Sequence, residues 1–248
     1  MSAVGRLRAE FDAAWRSFVR RRTAVFFTFF FPVILIVIFG ALVRTDPGGG
    51  GLFAEPPGYY VAGYVAVVVL FTPLSRVGAT VARHREGNRF EKLATTPLTR
   101  AEWLAAHTLV NVLLVGAASL LLLILLWLLT GVSLPASPAL VPFLVFGVVV
   151  FCGIGALLGR LADSQDGVIA AANTIALPML FLAETFVPLE MLPVWLHPFI
   201  DLLPLTYFTR GVRALTYTGG PWLFELGVLA ALAVVSFVVG AYAIPRTD

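Results

Sequence analysis

Residues 83–102 read RHREGNRFEKLATTPLTRAE and form a long, densely charged stretch inside a chain that is otherwise apolar. The stretch holds eight of the chain's 31 Asp, Glu, Lys and Arg residues. Apolar runs long enough to cross a bilayer lie on both sides of it. We interpret it as a helical elbow at the cytosolic surface that receives force from a partner protein. An ordinary basic loop that only fixes membrane orientation is the alternative.

The local pattern of this stretch predicts a short helix. Gly87 and Asn88 tolerate turn geometry and can precede it, and Pro97 is expected to end it. Thr99 and Glu102 then fit a capping box at the start of the next helix. The apolar stripe that defines the short helix consists of Phe90, Leu93, Ala94, Pro97 and Leu98.

The composition identifies an integral membrane protein. Hydrophobic residues make up 59% of the chain and charged residues only 12%, whereas soluble domains carry about 25% charged residues. The net charge of +3 fits basic loops retained in the cytosol rather than a nucleic-acid partner. The single cysteine, Cys152, lies in an apolar run and is interpreted as a packing residue.

Six stretches are long and apolar enough to cross a bilayer, and backbone groups in lipid require them to be helices. Before them, residues 1–22 combine arginines with apolar residues at spacings of three and four, which predicts an amphipathic helix in the headgroup plane. We therefore expect an all-α membrane protein with an interfacial helix at 1–22 and one six-span transmembrane domain at 23–248. The six spans are 23–43, 59–82, 102–130, 139–159, 168–187 and 222–244.

The placement of Lys and Arg predicts the orientation of the chain. With the N-terminus inside, 14 of these residues fall on the cytosolic side and three on the outer side, so both termini are expected to be cytoplasmic. The elbow then lies in the cytosol between spans two and three. Arg76 falls near the inner interface, where it is expected to snorkel.

The last outer segment, residues 184–221, is too apolar for open solvent and too rich in proline for one crossing helix. It is expected to form short re-entrant or interfacial helices, with a surface loop on the bilayer as the alternative. Within the spans, Gly155 and Gly159 are interpreted as a close-packing pair, and Asn173 is expected to form a helix–helix hydrogen bond.

Several kinds of site are excluded by motif. A P-loop needs a lysine after a glycine-rich turn, and the only lysine, Lys92, stands in FEKLAT. The three histidines are scattered, and no Ser-His-Asp arrangement can be argued. We therefore expect no catalytic residue, no metal site and no cofactor in this chain, and any ATP hydrolysis in a separate subunit.

Two segments carry a family resemblance. Residues 85–98, REGNRFEKLATTPL, are similar to the coupling segment of the ABC type-2 permeases, the six-span membrane subunits of ABC exporters. Residues 186–196, FVPLEMLPVWL, followed by LPLTY at 203–207 and by Arg213, resemble the outer segment of that family. Asn88 departs from the usual Thr, and Ala183-Glu184 departs from a common Ser-Gly pair.

The resemblance implies a multi-pass plasma-membrane exporter built from two permease chains, identical or not, and two ATPase subunits that hold ATP and Mg²⁺. Phe90 and Leu93 are the expected buried anchors in the ATPase. An energy-independent carrier or a non-transporting scaffold remains the alternative. The implied ATPase-coupling residues are Arg85, Glu86, Gly87, Arg89, Phe90, Glu91, Lys92, Leu93 and Pro97. The implied outer-gate residues are Glu184, Pro188, Leu192, Pro193, Trp195, Pro204, Tyr207 and Arg213.

Overall fold

A computed structural model describes residues 2–38, 55–131 and 137–245, and the regular structure in these ranges is helical. Short 3₁₀ turns at Pro57–Tyr60, Leu189–Met191 and Val194–Leu196 and a π-helical turn at Ala214–Thr218 join longer elements. The α-helices are α1 (Ala3–Val19), α2 (Arg22–Ile36), α3 (Val61–Glu86), α4 (Arg89–Ala94), α5 (Arg100–Thr130), α6 (Leu140–Leu161), α7 (Gln165–Leu182), α8 (His197–Ile200), α9 (Pro204–Arg213) and α10 (Leu223–Ala243).

The N-terminal segment forms the amphipathic helix expected at 1–22. The Ser2 hydroxyl caps α1 by accepting a hydrogen bond from the Gly5 amide at 3.3 Å. Ala14 and Phe18 are buried, and α1 packs along α5. The first predicted span, 23–43, begins with α2, and its last residues lie outside the described ranges.

Within the described residues, five helices are long and apolar enough to cross a membrane, and they match the second to sixth predicted spans. They are Pro57–Glu86, Arg100–Thr130, Leu140–Leu161, Gln165–Leu182 and Leu223–Ala243. The predicted end of the fifth span was wrong: α7 stops at Leu182 rather than at residue 187. The chain turns there because Glu184 adopts a left-handed conformation with a φ of 53°.

Helix α3 lies at the centre of the fold and packs against α5, α6, α7 and α9. Glycines allow α3 and α6 to approach closely, since a Cβ added at Gly155 would lie 2.6 Å from the Leu74 carbonyl oxygen. A Cβ at Gly78 would lie 2.9 Å from the Gly155 carbonyl oxygen. The packing role predicted for Gly155 and Gly159 is confirmed, and Cys152 is buried beside them in the core as expected.

The proline-rich segment of residues 184–221 folds into short helices. Pro198 and Pro204 stand in the first turns of α8 and α9, where a missing N–H is tolerated. Helix α9 packs against α3, α6 and α10 through buried Leu205, Phe208 and Val212. Short helices are therefore present in residues 184–221, with α9 packed on protein, and their re-entrant or interfacial placement stays a prediction.

The elbow helix is shorter than its apolar stripe predicted. Helix α4 ends at Ala94, three residues before Pro97. The hydroxyls of Thr95 and Thr96 donate to the carbonyl oxygens of Lys92 and Leu93 at 2.8 and 2.7 Å, and these local bonds replace a further helical turn.

Candidate functional site

The elbow, residues 85–98, joins α3 to α5 and presents a charged outer surface. Asn88 has a left-handed φ of 49°, which turns the chain sharply between α3 and α4. A capping box then starts α5: the Glu102 amide donates to the Thr99 hydroxyl at 3.2 Å, and the Thr99 amide donates to the Glu102 carboxylate at 2.9 Å. The predicted residues that lie exposed on this surface are Glu86, Gly87, Arg89, Glu91, Lys92 and Pro97.

Phe90 does not face outward as an anchor for a partner. Its side chain is 4% exposed, and its ring contacts those of His84 and Trp103 at centroid distances of 5.4 and 5.5 Å. The expectation that Phe90 is buried in an ATPase is corrected by this packing. Phe90 instead holds α4 against the membrane body, while the neighbouring Leu93 is half-buried.

Arg85 binds the C-terminal end of α6. Its Nη1 donates to the carbonyl oxygens of Gly159, Arg160 and Ala162 at 3.2, 2.8 and 2.9 Å. A cation at this position satisfies carbonyl groups that the helix leaves unpaired and complements the negative end of the helix dipole. The end of α3 is thereby fixed to the end of α6.

Glu86 binds the start of α7 in a complementary way. Its carboxylate accepts hydrogen bonds from the Gln165 amide at 3.1 Å and from Gln165 Nε2 at 3.4 Å. A carboxylate is favourable near the positive N-terminal end of a helix. Arg85 and Glu86 together fix the elbow to both sides of the α6–α7 turn, residues 162–164, and we call this arrangement the clamp.

Helix α1 is attached to the same end of the molecule by an ion pair that the sequence did not reveal. Arg6 donates to the Glu102 carboxylate from Nη2 at 2.6 Å and from Nε at 3.1 Å. This hydrogen bonding raises the pKa of Arg6. Glu102 therefore caps α5 and binds α1 at once, although only its capping role could be read from local spacing.

On the opposite end of the bundle, Glu184 forms the centre of an ionic cluster with two arginines of α9. Arg210 donates to the Glu184 carboxylate through Nε, at 2.8 Å, and through Nη2. Its Nη1 donates to Asp201 at 2.9 Å. Burial lowers the pKa of Arg210, but the hydrogen bonds to the two carboxylates outweigh burial and raise the pKa overall.

Arg213 completes this ionic cluster, which we call the outer cluster after the membrane side that the sequence predicts for it. It donates to the backbone oxygen of Glu184, and its guanidinium lies 3.8 Å from the centre of the Tyr59 ring. Burial lowers the pKa of Arg213. Since Tyr59 precedes α3 and Glu184 follows α7, Arg213 connects the start of α3 and the end of α7 to α9.

The other predicted gate residues lie close by in sequence but take different positions. Pro204 begins α9, and the Tyr207 hydroxyl donates to the Asp201 backbone oxygen at 2.7 Å. Residues 188–196 form the preceding turns, with Trp195 largely exposed. Pro188, Leu192 and Pro193 lie in those turns and take no part in the ionic cluster. Sequence reasoning missed Tyr59, Asp201 and Arg210. The available signal was a carboxylate, Glu184, at the end of an apolar run with no basic residue near it in the sequence.

Comparison with known proteins identifies the family to which this chain is similar. The family model described as ABC-2 type transporter matches residues 6–217. The putative transport permease ycf38 of Porphyra purpurea is 25% identical over 206 residues, which cover 74% of this chain and 68% of that protein. A second putative transport permease ycf38, from Cyanophora paradoxa, is 33% identical over 98 residues, or 38% of this chain and 33% of that protein. The daunorubicin resistance ABC transporter permease protein DrrB1 of Streptomyces coeruleorubidus is 28% identical over 196 residues, or 75% of this chain and 68% of that protein.

Proposed function

The chain belongs to the ABC-2 type transporter family, and from this premise we propose that it is a permease subunit driven by a separate ATPase that binds the elbow. The family and the named permease relatives support a multi-pass membrane protein with a role in transport. The finer parts of the proposal are the ATPase contact, the pairing of two permease chains and the direction of transport.

The ATPase contact is proposed because some residues of the elbow are bonded within the chain while others are exposed. Arg85, Glu86 and Phe90 are held by contacts within the chain. Arg89, Glu91 and Lys92 of α4 are exposed and alternate in charge. A surface of this kind can set the register of a partner by charge complementarity while its base stays fixed to the membrane body.

The clamp supplies a route for force. A partner that moves α4 moves the end of α3 directly, because only Gly87 and Asn88 separate the two helices. Arg85 and Glu86 pass the same movement to the α6–α7 turn. Three membrane helices then respond to one contact, as a subunit that converts ATPase closure into a change of its pathway requires.

ATP and Mg²⁺ belong to the partner in this proposal. The chain has no P-loop sequence, and its only lysine, Lys92, lies in the exposed elbow rather than in a glycine-rich loop. The subunit itself is therefore proposed to act without catalysis. We propose a homodimer or a pair with a related permease in the plasma membrane, with both termini in the cytoplasm.

Export is the proposed direction, supported by the relative named for daunorubicin resistance. The outer cluster of Glu184, Arg210 and Arg213 is the proposed gate. It joins α9 to the proposed outer ends of α3 and α7, so separation of those helices requires that its ion pairs and the contact of Arg213 with the Tyr59 ring break.

The test is co-purification from the native host after mild solubilisation. Paired charge reversal, Glu91→Arg with Lys92→Glu, should lower the yield of a stoichiometric ATPase subunit and abolish transport, because both charges are exposed and free to act on a partner. Glu190→Arg, an exposed reversal on the proposed outer side, is the matched control. Equal ATPase recovery from the double reversal and from wild type would move the proposal to a carrier or a scaffold.

A further inference from the structure

A groove of about 1270 Å³ runs between α1 and α2 on one side and α3 and α7 on the other. Residues of α4 line its end near the elbow. Arg89 and Lys92 of the proposed ATPase contact line the elbow end of this groove, and the rest of its lining lies outside that contact. The outer cluster lies at the other end of α3.

The wall that α3 contributes is a polar stripe. Thr72, Ser75, Arg76 and Arg83 line the groove and recur at helical spacing along one face, with the small Ala79 between Arg76 and Arg83. Polar and ionisable side chains within a membrane span are costly and characteristically mark a pathway or a binding site. This face of α3 is therefore built for a polar occupant.

Helix α7 faces the stripe with two amide side chains. Gln165 and Asn173 line the groove with Ile169, at intervals of one helical turn. Asn173 is exposed and makes no hydrogen bond to the residues that the structure describes. The helix–helix hydrogen bond predicted for Asn173 was wrong, because its side chain faces the groove and not a neighbouring helix.

The charge of the groove is strongly positive. Among the described residues that line it, the single acidic one is Glu10, whose carboxylate lies 3.4 Å from His107 Nε2. Five permanent cations oppose that carboxylate. They are Arg21, Arg76, Arg83, Arg89 and Lys92.

Arg76 is the cation among these with the clearest need for an acceptor. Its guanidinium lies 4.8 Å from the centre of the Phe18 ring, and its Nη1 is buried without an acceptor among the described residues. The Nε of Arg83 is likewise buried without an acceptor among the described residues, although its Nη2 donates to Thr80 at 3.1 Å. Buried charged donors are costly unless an acceptor pairs with them, and an anion meets that need.

The remainder of the groove is apolar. Val67 and Phe71 lie on α3 beyond Arg76, and Phe27 lies opposite on α2. A ligand with an anionic head and an apolar chain matches both parts in order along the groove.

We propose that this groove binds an anionic amphiphile, with its phosphate or carboxylate head at Arg76 and Arg83 and its chain against Val67, Phe71 and Phe27. An anionic membrane lipid and a transported anionic cargo share this chemistry. Binding goes beyond the proposed function and needs no ATPase, whereas a role as cargo rests on the proposed function.

The test compares two fluorescent probes on the purified chain in phosphatidylcholine nanodiscs. One is 11-(dansylamino)undecanoic acid, and the other carries a trimethylammonium head on the same dansyl chain. The wild-type chain should bind the anionic probe in preference to the cationic one. Arg76→Gln should lower the affinity for the anionic probe by about tenfold or more, as expected for a lost charge-assisted hydrogen bond.

Three variants control this result. Arg8→Gln removes an exposed arginine of α1 outside the groove and should leave the anionic affinity unchanged. Arg76→Lys should retain most of it. Ala79→Glu places a carboxylate between Arg76 and Arg83, so it should abolish the anionic preference even if Arg76→Gln proves unstable.

Two further measurements separate the sources of the ligand. Displacement of the probe by phosphatidylglycerol in the nanodisc assigns the groove to a membrane lipid. Resistance to that lipid, with ATP-dependent movement of the probe in vesicles holding the full transporter, assigns it to cargo. Equal binding of both probes by the wild-type chain, or an anionic affinity that Ala79→Glu and Arg76→Gln leave unchanged, would overturn the proposal.

Discussion

At Phe90 the charged elbow meets the packed interior of the chain. The ring touches Trp103 at the start of α5 and His84 at the end of α3, so one side chain holds three helices in a fixed relation. Aromatic pairs of this kind add stability beyond the area that they bury. Phe90, which the sequence suggested as an anchor in a partner, thus packs inside the chain and supports the helix that presents the exposed charges.

Phe90→Ala is expected to destabilise the chain by about 3 kcal/mol or more, because it leaves a cavity among buried rings. The measurement is thermal unfolding in detergent. Phe199→Ala is the matched control, since the Phe199 side chain is 58% exposed and loses few contacts. Equal melting temperatures for the two variants would show that Phe90 does not hold the elbow.

Glu184 and Asp201 offer a second comparison between two carboxylates that bind the same arginine. The side chain of Glu184 is 9% exposed and that of Asp201 is 56% exposed. Removing one partner of a buried pair costs about 3 kcal/mol or more, whereas exposed pairs contribute at most about 1 kcal/mol.

Glu184→Gln should therefore lower the melting temperature clearly, and Asp201→Asn should leave it nearly unchanged. Glutamine keeps the length of the side chain and has to adopt the same left-handed backbone conformation at φ 53°. The change in melting temperature therefore reports the loss of the charge. A larger loss from Asp201→Asn than from Glu184→Gln would contradict the central place of Glu184 in the outer cluster.

At the scale of elements, the clamp and the glycine contacts make α3 and α6 move together. Arg85 holds the ends of the two helices, and Gly78 and Gly155 hold their middles. Small residues are the usual means of close helix approach in membranes, where burial of apolar area gives no driving force.

Gly155→Ala is expected to weaken this pair of helices, because the new methyl would lie 2.6 Å from the Leu74 carbonyl oxygen. Gly116→Ala in α5 is the control: nothing lies within 4 Å of its added Cβ, and alanine favours a helix by about 1 kcal/mol over glycine. The measurement is the fraction of monodisperse protein after solubilisation. A loss for Gly116→Ala equal to that for Gly155→Ala would refute close packing as the reason for Gly155.

At the scale of the whole molecule, the sequence predicted what depends on near neighbours along the chain. Apolar length located the five spans within the described residues, and the Thr99–Glu102 spacing located the start of α5. Arg6 and Glu102 lie 96 positions apart, and their ion pair had no local signal.

The ends of elements were harder to predict for the same reason. Helix α4 stops early because two threonine hydroxyls bond locally, and α7 stops early because Glu184 turns toward Arg210. The second cause is a tertiary contact that spacing alone does not express. Likewise, the elbow could be located from its charges, but which of its residues face inward could not.

Cross-linking at the elbow tests the central claim most directly. The chain's only cysteine is buried, so a cysteine placed at the exposed Ala94 is the accessible thiol. In native membranes, Ala94→Cys treated with a thiol-to-amine cross-linker should form an adduct with an ATPase subunit, identified by mass spectrometry. Thr218→Cys, exposed at the proposed outer end, should form none. An ATPase adduct absent from Ala94→Cys, or equally strong from Thr218→Cys, would contradict the account.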